Sequence, residues 1–248
     1  MQREALRIGT SGWAYDDWKG PFYPAGIGRD AMLAEYARHF DAVELNATFY
    51  RLPAAATLER WAASVPDGFA FAVKASRYIT HVKKLRDSAD TLAPFLERIR
   101  VLDDRLGPVL FQLPPRFRYN GARLGELLGN LPADLDCAFE FRDASWLNDD
   151  CRRRLSDHGA ALCLHDLGGS GTAGEPPAGS FAYVRLHGPG EAYAGRYGEG
   201  PLDAWAERLG RWAGDGMPAW CFFDNDAEAN APADALRLRE RLVRMNAT

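Results

Sequence analysis

The stretch Cys137-Ala138-Phe139-Glu140-Phe141-Arg142 sets Ala138, Glu140 and Arg142 in alternation with Cys137, Phe139 and Phe141. Side chains of a strand point to opposite faces with a period of two, so the small and charged residues share one face and the bulky ones the other. Ala42, Glu44 and Asn46 alternate in the same way with Val43 and Leu45, and Ala70, Ala72, Lys74 and Ser76 with Phe69, Phe71 and Val73. Tyr183, Arg185 and His187 repeat the device. In each segment the charges gather at the C-terminal end. Central strands of an open sheet read apolar on both faces, whereas a face kept small or polar fits a closed interior with helices outside.

Working outward from residues 137–142, strand candidates fall near 5–10, 41–46, 69–75, 108–113, 136–141, 160–165, 181–187 and 219–225. Helical patterns separate most of them, over 30–40, 57–64, 88–106, 120–128, 145–158, 202–212 and 227–245. In the longest, Leu92, Phe95, Leu96, Ile99 and Leu102 recur at spacings of three and four, the stripe of a helix lying on a sheet. Parallel strands need crossovers, and helices are the usual ones, so eight alternating units predict an α/β fold with a single (β/α)8 TIM-like barrel. One unit departs. Gly168-Gly169-Ser170-Gly171-Thr172-Ala173-Gly174-Glu175-Pro176-Pro177 is too rich in glycine and proline for a helix, so a loop is expected in place of the sixth helix.

No linker-like stretch divides the 248 residues, which predicts one domain over 1–248 with its core at about 6–245. Seven tryptophans speak against disorder. A net charge of −4 disfavours nucleic acid as a partner while leaving room for a local basic cleft. Cys137, Cys151, Cys163 and Cys221 lack C-x-x-C spacing and are expected to be buried and reduced. The opening Met1-Gln2-Arg3-Glu4 leads into no apolar signal region, and no run approaches the roughly 20 apolar residues that span a bilayer. A cytoplasmic protein with no membrane partner is the expectation.

In such barrels the active site lies at the C-terminal ends of the strands. The residues to collect there are Ser11 and Trp13, Glu44 and Asn46, Lys74 and Ser76, Gln112, Glu140 and Arg142, His165, Arg185 and His187, and Asn225 with Asp224 beside it. Lys74, Arg142 and Arg185 outnumber Glu44 and Glu140 by one charge, which suits a small anionic ligand or a phosphodiester. Arginine offers a planar fork to phosphate or carboxylate, and Gly188 and Gly190 would let backbone N–H groups approach an anion. The expected roles are Glu44 or Glu140 as general base, His187 as acid or proton shuttle, and Arg142, Arg185 and Lys74 as anion holders. Asn46, Gln112 and Asn225 would orient the ligand, with Trp13 and Tyr50 beside it.

Three other readings use the same residues. Glu44, Glu140 and His187 carry suitable atoms for a divalent metal in a hydrolase or isomerase, although no H-E-x-x-H run exists and no cofactor motif demands one. Glu44 and Glu140 could serve a glycoside hydrolase, with Trp13, Tyr15, Trp18, Phe49, Tyr50 and Trp146 as stacking surfaces. A non-catalytic binding protein is the third, in which Glu44 and Lys74 on adjacent strands neutralise each other within a buried network.

The segments Ile8-Gly9-Thr10-Ser11-Gly12-Trp13, Val43-Glu44-Leu45-Asn46 with Thr48-Phe49-Tyr50, and Lys74-Ala75-Ser76-Arg77-Tyr78-Ile79-Thr80-His81 carry a family resemblance. So do Phe111-Gln112-Leu113-Pro114-Pro115, Phe139-Glu140-Phe141-Arg142 with Ser145-Trp146, Tyr183-Val184-Arg185-Leu186-His187-Gly188 and Phe223-Asp224-Asn225. From about residue 6 to 245 the chain resembles domain-of-unknown-function family 72, the YecE-like proteins. The resemblance implies a TIM barrel and brings no agreed activity. Leu162-Cys163-Leu164-His165-Asp166 matches less distinctively, which leaves His165 without an implied role.

Overall fold

The structure is a computed structural model and describes residues 6–168, 171–190 and 192–246. Eight parallel strands follow one another: β1 (Leu6–Thr10), β2 (Ala42–Leu45), β3 (Ala70–Lys74), β4 (Leu106–Gln112), β5 (Cys137–Glu140), β6 (Ala161–His165), β7 (Ala182–Leu186) and β8 (Ala219–Phe223). Their spatial order runs β1-β8-β7-β6-β5-β4-β3-β2, so β1 and β2 are the strands that must meet to close the barrel. They meet through a single bridge between Ser11 and Glu44. The expected (β/α)8 architecture is present.

At that seam the ladder is completed by a side chain. The Tyr36 hydroxyl accepts from Thr10 N at 2.9 Å and donates to Ala42 O at 3.1 Å, satisfying two backbone groups that strand pairing leaves over. Gly9 is required here for space: a Cβ at this position would lie 2.1 Å from the Ala42 carbonyl oxygen.

The helices are α1 (Met32–Tyr36), α2 (Ala47–Tyr50), α3 (Ala55–Ala63), α4 (Ser88–Ile99), α5 (Gly121–Asn130), α6 (Asp149–Asp157), α7 (Glu199–Gly214) and α8 (Asn230–Asn246). Between β6 and β7 no helix forms among the described residues, as the glycine and proline content predicts; Gly169 and Ser170 lie outside them. Thr172 ties this loop to β6, accepting from His165 N at 3.0 Å and donating to Cys163 O at 2.8 Å. The helix expected over 88–106 ends at Ile99 instead. A 3-10 turn follows in which Asp103 adopts φ +50°, and β4 begins at Leu106.

The core has two compartments. The larger one joins the bulky outer face of the strands to the helices, where Phe69, Phe71, Phe111, Phe139 and Phe141 are buried. The smaller fills the barrel: Ala42, Ala72, Ala138 and Ala161 leave room for Leu110, Tyr183 and Phe222. All four cysteines are free and buried, behaving as small hydrophobes. Among the described residues no helix is long and apolar enough to cross a membrane.

Candidate functional site

Above the apolar layer, the last inward positions of the strands converge on Arg185. Its Nε donates to both oxygens of Glu44 at 3.1 Å. Its Nη1 donates to Glu140 Oε2 at 2.8 Å and to His187 Nε2 at 2.9 Å. Its Nη2 serves Glu44 Oε1 at 2.9 Å, Asp224 Oδ2 at 2.8 Å and Ser11 Oγ at 3.2 Å. Strands β1, β2, β5, β7 and β8 thus meet on one guanidinium. Burial alone would lower the Arg185 pKa, but Glu44, Asp224 and Glu140 hold it well above the ordinary arginine value.

Each carboxylate has further partners. Glu44 accepts from Ser11 Oγ at 2.6 Å and from the Tyr183 hydroxyl at 2.7 Å. Glu140 is paired a second time by Arg142. Burial would raise the Glu140 pKa; Arg185 and Arg142 outweigh that and leave it well below the usual carboxylate range. Glu44, Glu140 and His187 are all 0% exposed.

Several of the expected site residues meet other partners in the structure. Arg185 was expected to hold an anion, yet its donors are taken up by the protein's own groups. His187 was expected to shuttle protons near neutral pH. Its Nε2 instead accepts from Arg185 and from Arg142 Nη2, which fixes the proton on Nδ1, and burial together with Arg185 pushes its pKa down to about 2. The strand period of two, continued from Phe222, brings Asp224 to the ring rather than Asn225. Asn225 donates outward to Gly195 O at 2.8 Å and to Asp234 Oδ2, on α8, at 3.0 Å. With Asp224 included, three cations face three carboxylates, so the one-charge positive excess disappears. Tyr50 is 82% exposed and touches Phe49 rather than the ring. Trp18 and Trp146, considered as sugar-stacking surfaces, are buried core residues.

Among the described residues no three metal-ligating side chains gather as a site. The lone pairs of Glu44, Glu140 and His187 that would hold a divalent ion are directed at guanidinium protons. The pair Glu44 and Lys74 is not an ion pair either, since Glu44 is committed to Arg185.

What remains open at the mouth is different. The Lys74 ammonium makes no hydrogen bond or ion pair among the described residues; it lies over the Phe49 ring, 4.8 Å from the centroid. Burial, and then Arg185, lower its pKa. Gln112 donates to Leu113 O at 2.8 Å. Trp13 lines an adjoining cavity together with Asn46. His165 donates through Nε2 to Phe141 O at 3.1 Å, and its buried Nδ1 has no hydrogen-bond partner among the described residues.

Two carboxyls at the end of β8 were not singled out as a pair by the sequence. Burial, opposed by Arg185, moves the Asp224 pKa up to about 6; burial and Asp224 move Asp226 up to about 8. The Tyr15 hydroxyl donates to Ser11 O at 2.6 Å, and its pKa is raised by burial and by Asp226 and Asp224. The i, i+2 spacing of Asp224 and Asp226 after an inward Phe222 was the available signal.

Asp226 should leave a mark on stability. Between the ordinary carboxylate pKa and about 8, the folded chain retains a proton that the unfolded chain has released, so its contribution falls as pH rises through that interval. Asp226→Asn should therefore gain melting temperature relative to the parent between about pH 5 and about pH 9. An equal difference at both values would contradict the assignment.

Comparisons with known proteins agree with this architecture. Residues 7–248 match the family model described as "Protein of unknown function DUF72". UPF0759 protein YunF of Bacillus subtilis is 25% identical over 269 residues, covering 96% of this chain and 94% of its own length. UPF0759 protein YecE of Escherichia coli is 35% identical over 141 residues, 55% of this chain and 48% of that relative, so the match spans about half its length. A DUF72 family protein (TM1631) from Thermotoga maritima has a crystal structure that superposes with a TM-score of 0.86 at 27% identity, covering 97% of this chain and 100% of that one.

Proposed function

The chain belongs to the DUF72 family, whose description assigns no activity, and we propose that it is an enzyme that binds a small anionic ligand, carrying phosphate or carboxylate, at the C-terminal mouth of the barrel. The observation that carries this reading is the Lys74 ammonium, partly buried and without an ionic partner among the described residues. A cation withdrawn from water needs a counter-charge, and every ring carboxylate except Asp226 is already held by arginine. The missing partner is supplied by the ligand.

The acid and base belong to the Asp224–Asp226 pair rather than to Glu140 and His187. At neutral pH Asp226 retains its proton and can donate it, while Asp224, deprotonated beside Arg185, can accept one. The Arg185 network fixes the strand ends on which these groups sit, so that little reorganisation accompanies the chemistry.

Thermal melts with inorganic phosphate test the reading. A ligand at about a hundred times its dissociation constant adds about 2.7 kcal/mol to stability, several degrees in a chain of this size. Lys74→Met should abolish that response while remaining folded. A parent protein indifferent to phosphate and to carboxylates would overturn the proposal.

A further inference from the structure

Beside the ring lies a cavity of about 480 Å³, within the size range of small-molecule sites. It is walled by Trp13 from the loop after β1, Leu45 and Asn46 from the end of β2, and Trp61 from α3. The two indoles meet edge to face, with centroids 5.0 Å apart and planes at 89°, so one of them can offer a face while the other closes the side. Arg60 stands at the rim, with no hydrogen bond or ion pair among the described residues.

Asn46 gives this space a polar end. It occupies the position before α2, where asparagine commonly caps a helix, but its backbone is helical and its side chain makes no capping bond. Its buried Oδ1 consequently has no hydrogen-bond partner among the described residues. Leu45 is in register with Val73, so Asn46, one residue on, brings this end of the cavity beside Lys74. Tyr15 lines the cavity, and its hydroxyl donates to Ser11 O at 2.6 Å, so the cavity adjoins the residue whose Oγ binds Glu44 and Arg185.

We infer that this cavity holds the organic body of the ligand whose anionic group meets Lys74, and that this body is a planar ring. The inference rests on the anion reading of the mouth and narrows it to ring-bearing phosphates or carboxylates. Stacking on indole selects a flat ring over a flexible chain.

Calorimetric titration with inorganic phosphate, glycerol phosphate and phenyl phosphate tests it. Phenyl phosphate should bind about tenfold tighter than glycerol phosphate, the return on one good ring contact. Trp61→Ala should bring the two organic phosphates to equal affinity and leave inorganic phosphate unchanged. Ser64→Trp, which fills the cavity from its edge and keeps Trp61, should do the same where Trp61→Ala does not fold. Equal affinities in the parent protein, or a preference that survives in the folded variants, would overturn the inference. If inorganic phosphate does not bind, the anion reading falls by itself. Benzyl alcohol then decides the cavity: binding lost in Ser64→Trp supports a ring site, and no binding overturns it.

Discussion

Arg185→Met should cost at least about 3–5 kcal/mol, because breaking a buried ion pair strands its partner without water or counter-charge. Here three carboxylates are stranded together: Glu44, Glu140 and Asp224 all pair with this guanidinium, which is 1% exposed. In a chain of this length that loss is about 10 °C of melting temperature or more, read by a thermal scan. Arg185→Lys should recover only part of it, since one ammonium cannot reproduce a planar fork that reaches the ends of four other strands. Adding Glu44→Gln and Glu140→Gln to Arg185→Met should restore part of the stability by removing the stranded charges. A single Arg185→Met variant that melts with the parent would show that the ring does not hold the barrel together.

Gly9→Ala should be nearly as damaging for a different reason. The added methyl would stand 2.1 Å from the Ala42 carbonyl oxygen and 2.9 Å from the Tyr36 hydroxyl, and the first of these is backbone that cannot rotate away. Relief requires β1 to withdraw from β2, which opens the Ser11–Glu44 bridge and unseats the hydroxyl that completes the seam. Overpacking in a tight interior costs about 1–3 kcal/mol, and the backbone shift adds to that. Hydrogen exchange should quicken at Thr10 and Gly12, whose N–H groups donate across the seam, before it quickens at β4 or β5. Unchanged exchange with unchanged stability would count against this account.

The fold was legible because the barrel interior imposes a rule on every strand. Ala42, Ala72 and Ala138 had to be small to admit Tyr183 and Phe222, and that requirement is written with a period of two. The loop replacing the sixth helix was legible from its glycines and prolines. The early end of α4 was not, because the apolar stripe continues through Leu102 while the backbone turns at Asp103.

Within the ring, membership could be read and partnership could not. Period two placed Glu44, Lys74, Glu140 and Arg185 on the inner face, yet which charges meet depends on side-chain reach across the barrel axis. Arg185 reaches Glu44 three strands away, and Lys74, on the strand next to Glu44, is left without an ion pair among the described residues. Asn225 and Asp224 stand side by side after β8, and the parity of the strand, continued from Phe222, selects Asp224 for the ring. The neutral state of His187 follows from its burial and from the two guanidiniums that touch it, and neither contact has a signature in sequence.

Apart from His187, the partners of Arg185 lie 39, 45, 141 and 174 residues from it along the chain. Contacts of such separation form after the loops between them have closed, so the hub is assembled late in folding. During synthesis Asp224 is the last of these partners to emerge, and until β8 arrives the guanidinium and its carboxylates can remain hydrated. Their dehydration then coincides with insertion of the final strand, which makes completion of the circle an all-or-none event for the whole chain.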